Sequence, residues 1–173
     1  PVFLEGVLNK SIRIGGASGF WGDSYRATEQ LLQDTTLDFI VYDYLAEITM
    51  SIMARARAKS PSAGYATDFI DAVIKPYIKR ISTHNTRLIS NAGGVNPEKC
   101  AEVISELVKD LQLNLKVSCI TGDDLMSSAQ EIKNMNCKEM FSDIKFPELD
   151  KVASMNAYLG AFAISKALDK GAD

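Results

Sequence analysis

Asp43 and Glu47 are the residues of this sequence best placed to move a proton. Asp43 closes the apolar run "LDFIVYDY", and Glu47 follows it four positions later. A carboxylate at the end of a buried strand, with a second one close by, sits near a low-dielectric floor where desolvation and like charge raise its pKa into the range of acid–base work. Two glycine-rich stretches can supply backbone N–H groups to a bound anion. In "RIGGASGFWGDS" (13–24) the candidate ligand-binding residues are Gly15, Gly16, Ser18, Gly19, Trp21, Gly22, Asp23 and Ser24. In "SNAGGVNPEKC" they are Asn91, Gly93, Gly94 and Asn96, and Asp123 joins them from "TGDD". For Trp21, plugging the rim of a core and stacking on a ligand are equally good readings.

Several familiar chemistries are excluded by spacing. A P-loop needs a lysine to reach the terminal phosphates, and none lies between Arg13 and Arg26. The glycines at 15, 16, 19 and 22 miss G-x-G-x-x-G, although Asp43 stands where a ribose-binding acid would. "NAGG" is similar to a loop of short-chain dehydrogenases, but no Tyr-x-x-x-Lys accompanies it. A nucleotide-binding oxidoreductase-like domain is therefore only a further alternative. Ser18 lacks the glycine spacing of a nucleophile elbow, and its one available base, His84, lies in the polar stretch "STHNTR" and reads as an exposed turn residue. One histidine rules out histidine-built metal sites, and no metal ligand is assigned. An oxygen-ligated Mg²⁺ on Asp43, Glu47, Asp123 or Asp124 stays open, with helix capping the better account of Asp123 and Asp124. Of Arg55 and Arg57, two apart on a helix, at least one faces solvent.

These residues must be positioned by repeated strand, loop and helix units. Ser11 to Ile14 reads as a strand into the first glycine loop, followed by a helix from Asp23 to Gln33. The run from Leu37 is a second strand, buried on both faces. A helix over 46–59 carries Ile48, Ile52 and Met53 on one face, and Ser60-Pro61 breaks it. A further helix spans 67–80, kinked or restarted at Pro76. "RLIS" is a third strand, and Asn96 with Pro97 caps and opens the next helix. "LKVSCITGDD" predicts a fourth strand, and Val152 to Leu168 a mostly buried helix stopped by Gly171. The alternation predicts an α/β fold, a Rossmann-like three-layer sandwich with a mainly parallel sheet of at least four strands. Its loops meet at the carboxyl ends of the strands, where such sheets bind ligands.

Composition is consistent with one domain over 1–173. The chain has 173 residues, 46% of them hydrophobic, enough for one substantial core. A net charge of -3 without long blocks of one sign argues against nucleic acid and anionic membranes as partners, and no apolar run is long enough to span a bilayer. "PVFLEGVLNK" lacks the pattern of a signal peptide. Cys100, Cys119 and Cys137 have no CxxC spacing and suit a reducing compartment, so a cytoplasmic location is expected.

The stretches "RIGGASGFWGDS", "DFIVYDYLAEITMSIMARARAKSPSAGYATDF", "SNAGGVNPEKC" and "NAYLGAFAISKALDKGAD" together resemble the acyclic terpene utilisation (AtuA-like) family. The likeness spans nearly the whole chain and is thin from Cys137 to Asp150. It implies an enzyme, or an enzyme-derived domain, of acyclic terpenoid catabolism, acting on branched acyl-CoA thioesters by a reaction that the likeness does not specify. No cofactor is firmly implied. It also implies that the chain covers the N-terminal part of a longer family domain. Its sheet would then be completed by a homo-oligomer or by a partner segment. The leading expectation is an anionic small-molecule ligand held by the glycine loops, with Asp43 or Glu47 in acid–base roles. The alternative is a non-catalytic ligand-binding or assembly domain whose glycine loops are only tight turns.

Overall fold

A computed structural model of the chain describes residues 11–33 and 36–173. The N-terminal decapeptide read above, and residues 34 and 35 after the first helix, lie outside the described residues. Three parallel strands form the sheet in the order β1 (Ile14–Ser18), β2 (Phe39–Tyr42), β3 (Arg87–Ser90). The α/β class and the parallel pairing match the sequence. A fourth strand is not formed: residues 113–122 run on beyond the sheet without pairing to it.

The strand order explains where the helices lie. Right-handed crossovers that always step the same way place every connecting helix on one face. That face carries Gly15, Ile40 and Leu88 in register, then Tyr42 and Ser90. Helix α1 (Ala27–Leu31) covers its start, with the Leu31 side chain so close to Gly15 that an added Cβ would lie 2.9 Å from it. Thr28 and Tyr42, both buried, share a hydrogen bond of 3.0 Å between their hydroxyls. Phe69 closes on Tyr42 edge-on, with centroids 5.2 Å apart. On the opposite face Ile14 and Gly16 stay exposed, so the second helical layer of the expected three is not seen against them among the described residues.

Helix α2 (Glu47–Lys59) follows the predicted bounds and turns differently. Its buried residues are Thr49, Met53 and Ala54, while Ile48 and Ile52 are exposed. The apolar stripe read from spacing was off by roughly one position around the axis. Phe69–Ile74 is a π-helix that runs straight into α3 (Lys75–His84). Pro76 in the first turn of α3 accounts for the widened turns before it, because its ring and missing N–H forbid an ordinary bond to the carbonyl four residues back. Pro76 thus restarts the helix. His84 ends α3 half-buried, with its Nδ1 enclosed and unpartnered, and is not the exposed loop residue expected.

Helix α4 (Pro97–Asp110) packs Cys100 and Val108 into the core. It stops with the Leu113 N–H donating to the Val108 carbonyl and the Gln112 N–H to that of Lys109, a pattern that needs a left-handed residue at the turn. Gln112 fills that position at φ 53°. Left-handed backbone costs an L-residue about 1–2 kcal/mol, so Gln112→Gly is expected to raise stability by up to about 1 kcal/mol after glycine's larger chain entropy is subtracted. Urea unfolding of the two proteins reads this directly.

Beyond a single 3₁₀ turn at Met126–Ser128, α5 (Ala129–Asn134) and another at Leu149–Lys151, the predicted buried helix over 152–168 shrinks to α6 (Phe162–Asp169), none of whose residues is buried. The preceding stretch is diverted. Leu125 N–H donates to Met155 O, Ala157 N–H to Asp123 O, and Gly160 adopts φ 69°, which no helix continues through. Gly171 does stop α6, at φ 84°, with its N–H on Leu168 O and that of Ala172 on Ala167 O.

Candidate functional site

The carboxyl ends of β2 and β3 are tied together by side chains. Asn91, just past β3, donates from Nδ2 to Asp43 Oδ1 at 2.7 Å and accepts the Tyr44 N–H on Oδ1 at 2.7 Å. Asp43 Oδ1 also receives the Leu45 N–H at 3.3 Å, which turns the chain into α2. The Ser18 hydroxyl donates to the Asp43 carbonyl at 3.2 Å, so the end of β1 joins the same corner. Asp43 and Glu47 are both exposed, contrary to the low-dielectric setting expected for them. The buried groups here are Tyr42 and Tyr44, stacked 6.3 Å apart, and burial pushes both phenols up, Tyr42 to about 12.

Beside this corner opens a cleft of about 930 Å³. One wall is the free side of β3 with Ile78 and Ile81 of α3 and Cys100, Ile104 and Val108 of α4. The other is the extended stretch Leu115–Ile120 with Ile164 and Leu168 of α6. Asp43, Glu47, Asn91, Gly93, Gly94 and Asp123 lie along its lining, so the structure brings together both candidate acids and part of the second loop. The walls are aliphatic, and the charged lining residues are four carboxylates, Asp43, Glu47, Asp123 and Asp173, with Lys116. Lys116 is engaged: its Nζ donates to Lys170 O at 2.7 Å.

The first glycine loop is elsewhere. Gly15, Gly16 and Ser18 belong to β1 itself, and none of Gly15 to Ser24 lines the cleft. Gly19 N–H is taken by Asp23 Oδ2 at 2.9 Å, and Asp23 N–H by Phe20 O at 3.2 Å. Gly22 holds φ 86°, and Ser24 is exposed. Trp21 is half-buried, packs on the core and donates its indole N–H to Asp68, which makes it a plug at the core rim. This loop forms a turn and not a wall of the cleft.

The second loop is likewise closed on itself. Gly94 N–H donates to Asn91 O at 3.1 Å, Val95 N–H to Gly64 O at 2.9 Å and Asn96 N–H to Gly93 O at 2.9 Å. These groups are not left over to cradle an anion. Asn96 occupies the cap position of α4 without capping; buried, its Nδ2 instead donates to Pro61 O and Ala63 O, tying the loop after α2 to the start of α4. Gly93 is required because a Cβ there would meet Pro97 Cα at 2.7 Å.

Asp123 accepts Asn156 Nδ2 at 2.9 Å, and Asp124 caps Met126 N–H at 2.9 Å, so the capping role fits Asp124. Arg57 donates to the Val95 carbonyl, lies 3.9 Å from Asp124 and lines a smaller cavity of about 290 Å³. No group of three His, Cys, Asp or Glu among the described residues is arranged to hold a metal ion. All three cysteines are free. No helix among the described residues is long and apolar enough to cross a membrane.

What sequence reasoning missed is the aliphatic lining. Leu88, Ile104, Val108, Leu115 and Ile164 line the cleft, and a face that packs and a face that lines a cleft have the same composition. The nearest signal was the predicted fourth strand, whose alternation marks an extended half-buried stretch.

Burial also sets a pH dependence. Cys100 is held up to about 12 from 9.0, and Tyr42 to about 12 from 10.0, both chiefly by desolvation. Each folded pKa lies above its unfolded value, so the stability from the neutral groups is complete below pH 9 and is lost as pH rises through 9.0 and 10.0 toward 12. Denaturation midpoints should therefore fall over that window, and Cys100→Ala should delay the onset of the fall.

Fold and site define a class: an α/β domain with a parallel sheet and an aliphatic cleft beside its last strand, lined by carboxylates that include Asp43 at the end of β2. The model of the acyclic terpene utilisation family protein AtuA matches residues 12–173. The chain belongs to that family. No curated protein and no solved structure matches it.

Proposed function

We propose that the protein serves the catabolism of acyclic terpenoids by taking the branched hydrocarbon chain of its substrate into the cleft. The observation that carries this is the cleft itself: at about 930 Å³ it falls at the upper end of the range of small-molecule sites, and its walls are aliphatic. Asp43 and Glu47, at the end of β2 and the start of α2, are its acid–base candidates. An acyl-CoA thioester is compatible with this reading when the acyl chain enters and the phosphates stay in solvent, since four carboxylates and one engaged lysine offer no attraction to a phosphate.

The internal bonding of both glycine loops favours a second reading, a binding or assembly domain without catalysis. Thermal unfolding with a branched terpenoid acyl-CoA, the corresponding free acid, CoA, NAD⁺ and ATP distinguishes ligand classes. A ligand of the folded state at about 100 times its Kd adds about 2.7 kcal/mol. Turnover of the bound thioester, or its absence, then separates enzyme from binding module.

A further inference from the structure

We infer that residues 113–119 dock on the open side of β3 as a fourth parallel strand, closing the cleft, and that Asp173 holds them off it in the conformation described above. The first support is the unpaired edge. Arg87 N–H donates to Asp38 O and the ladder to β2 continues from there, so the backbone groups of Arg87 and Ile89 turn toward β2. Those of the alternate residues, Leu88 and Ser90, turn to the other side, where β3 has no neighbour among the described residues. Such an edge is a template for another strand.

The second support is the stretch across the cleft. Leu113, Leu115 and Val117 pack on the core while Gln112, Asn114, Lys116 and Ser118 are exposed, the period of two that belongs to a paired strand. Helix α4 lies between β3 and this stretch in the chain, the connection that a right-handed β-α-β unit uses. Side-chain face and backbone direction are coupled in a strand. With Leu115 placed beside Leu88 on the core face, the backbone groups of Asn114, Lys116 and Ser118 point at β3. The register is Leu88 with Leu115, Ile89 with Lys116 and Ser90 with Val117. Lys116 N–H then donates to Leu88 O, and Ser90 N–H donates to Lys116 O.

Those Lys116 groups are occupied. Its N–H donates to Asp173 Oδ2 at 2.9 Å, and its carbonyl accepts the Asp173 N–H at 3.0 Å. Docking therefore exchanges two bonds to Asp173 for two bonds to β3 and gains those of Leu88 N–H and Ser90 O with Asn114 and Ser118. Equal bonding at Lys116 is what lets one residue decide between open and closed states.

Amide hydrogen exchange, resolved by residue, tests this without any ligand. In the wild type Leu88, Ser90 and Ser118 N–H should exchange only modestly more slowly than exposed loop amides, and Asp173→Ala should slow them at least about tenfold relative to the wild type, because it removes the competing carboxylate. Ile89 N–H, directed at β2, reports that the sheet is intact in each variant. If Leu88, Ser90 and Ser118 exchange as freely as exposed amides in both proteins while Ile89 stays protected, the docking is wrong. If they are protected and Asp173→Ala does not change the rate, the role given to Asp173 is wrong.

Discussion

Gly94→Ala is expected to lower the free energy of unfolding by about 2–5 kcal/mol, the largest effect of any glycine substitution in the two loops. Gly94 has φ 54°, and a Cβ there would stand 2.2 Å from Met53 Sδ and 2.7 Å from the Gly64 carbonyl oxygen. Left-handed strain adds about 1–2 kcal/mol and overpacking about 1–3 kcal/mol. Met53 is among the most deeply buried side chains, and Gly64 O is already bonded to Val95 N–H, so neither neighbour can retreat without loss. Gly22→Ala carries only the first of these costs, since it has φ 86° with nothing within 4 Å. Gly16→Ala should be near neutral, being in open space on β1. Urea midpoints for the three variants should fall in that order. Equal midpoints for Gly94→Ala and Gly16→Ala would remove the account of the second loop as a close-packed corner.

The second large effect is on chemistry. Under the proposed function, Asp43→Asn should reduce turnover of the bound thioester by about 10²–10⁴-fold, the usual range for a positioned general acid or base. Asp43 takes the Asn91 and Leu45 hydrogen bonds on Oδ1, and Oδ2 takes neither, so one oxygen anchors the carboxylate and the other is available for proton exchange. Because Asn keeps an acceptor for the Leu45 N–H, the stability cost should stay within about 1–2 kcal/mol, and binding measured by thermal shift should persist. Loss of turnover with binding retained is the expected pattern. Unchanged turnover would move the acid–base role away from Asp43, to Glu47 or to neither.

The sequence made β2 and β3 legible because each is a short apolar run bounded by turn residues, and it made α2 and α4 legible through helix formers bounded by Pro61 on one side and opened by Pro97 on the other. The face of α2 was not legible, since helical spacing defines a stripe without saying which neighbours it meets; Met53 turned inward and Ile48 outward. The fourth strand expected from "LKVSCITGDD" (115–124) is not formed; Leu115 and Val117 are half-buried between exposed neighbours, and half-burial does not supply a partner. The helix over 152–168 failed because pairing of 155–157 with 123–125 and the left-handed Gly160 outweighed a composition of small residues. At the site, Asp43, Glu47, Asn91, Gly93, Gly94 and Asp123 line one cleft, the first two because β2 runs into α2, the next three because they follow β3, and Asp123 without a strand before it. The first loop was not separable from the second by letters alone. Gly15 is small for Leu31, Gly94 for Met53 and Gly22 for its φ, three different demands written with one residue type.

The most direct test of the central claim compares thermal unfolding of the wild-type chain and of Ile104→Trp, which fills the aliphatic lining, with a branched terpenoid acyl-CoA and with CoA alone. The account predicts that the acyl-CoA raises the melting temperature of the wild type, that CoA alone does not, and that Ile104→Trp, if folded, loses the response. An equal rise with CoA alone, or a full response from the filled variant, would contradict a cleft that recognises the hydrocarbon chain.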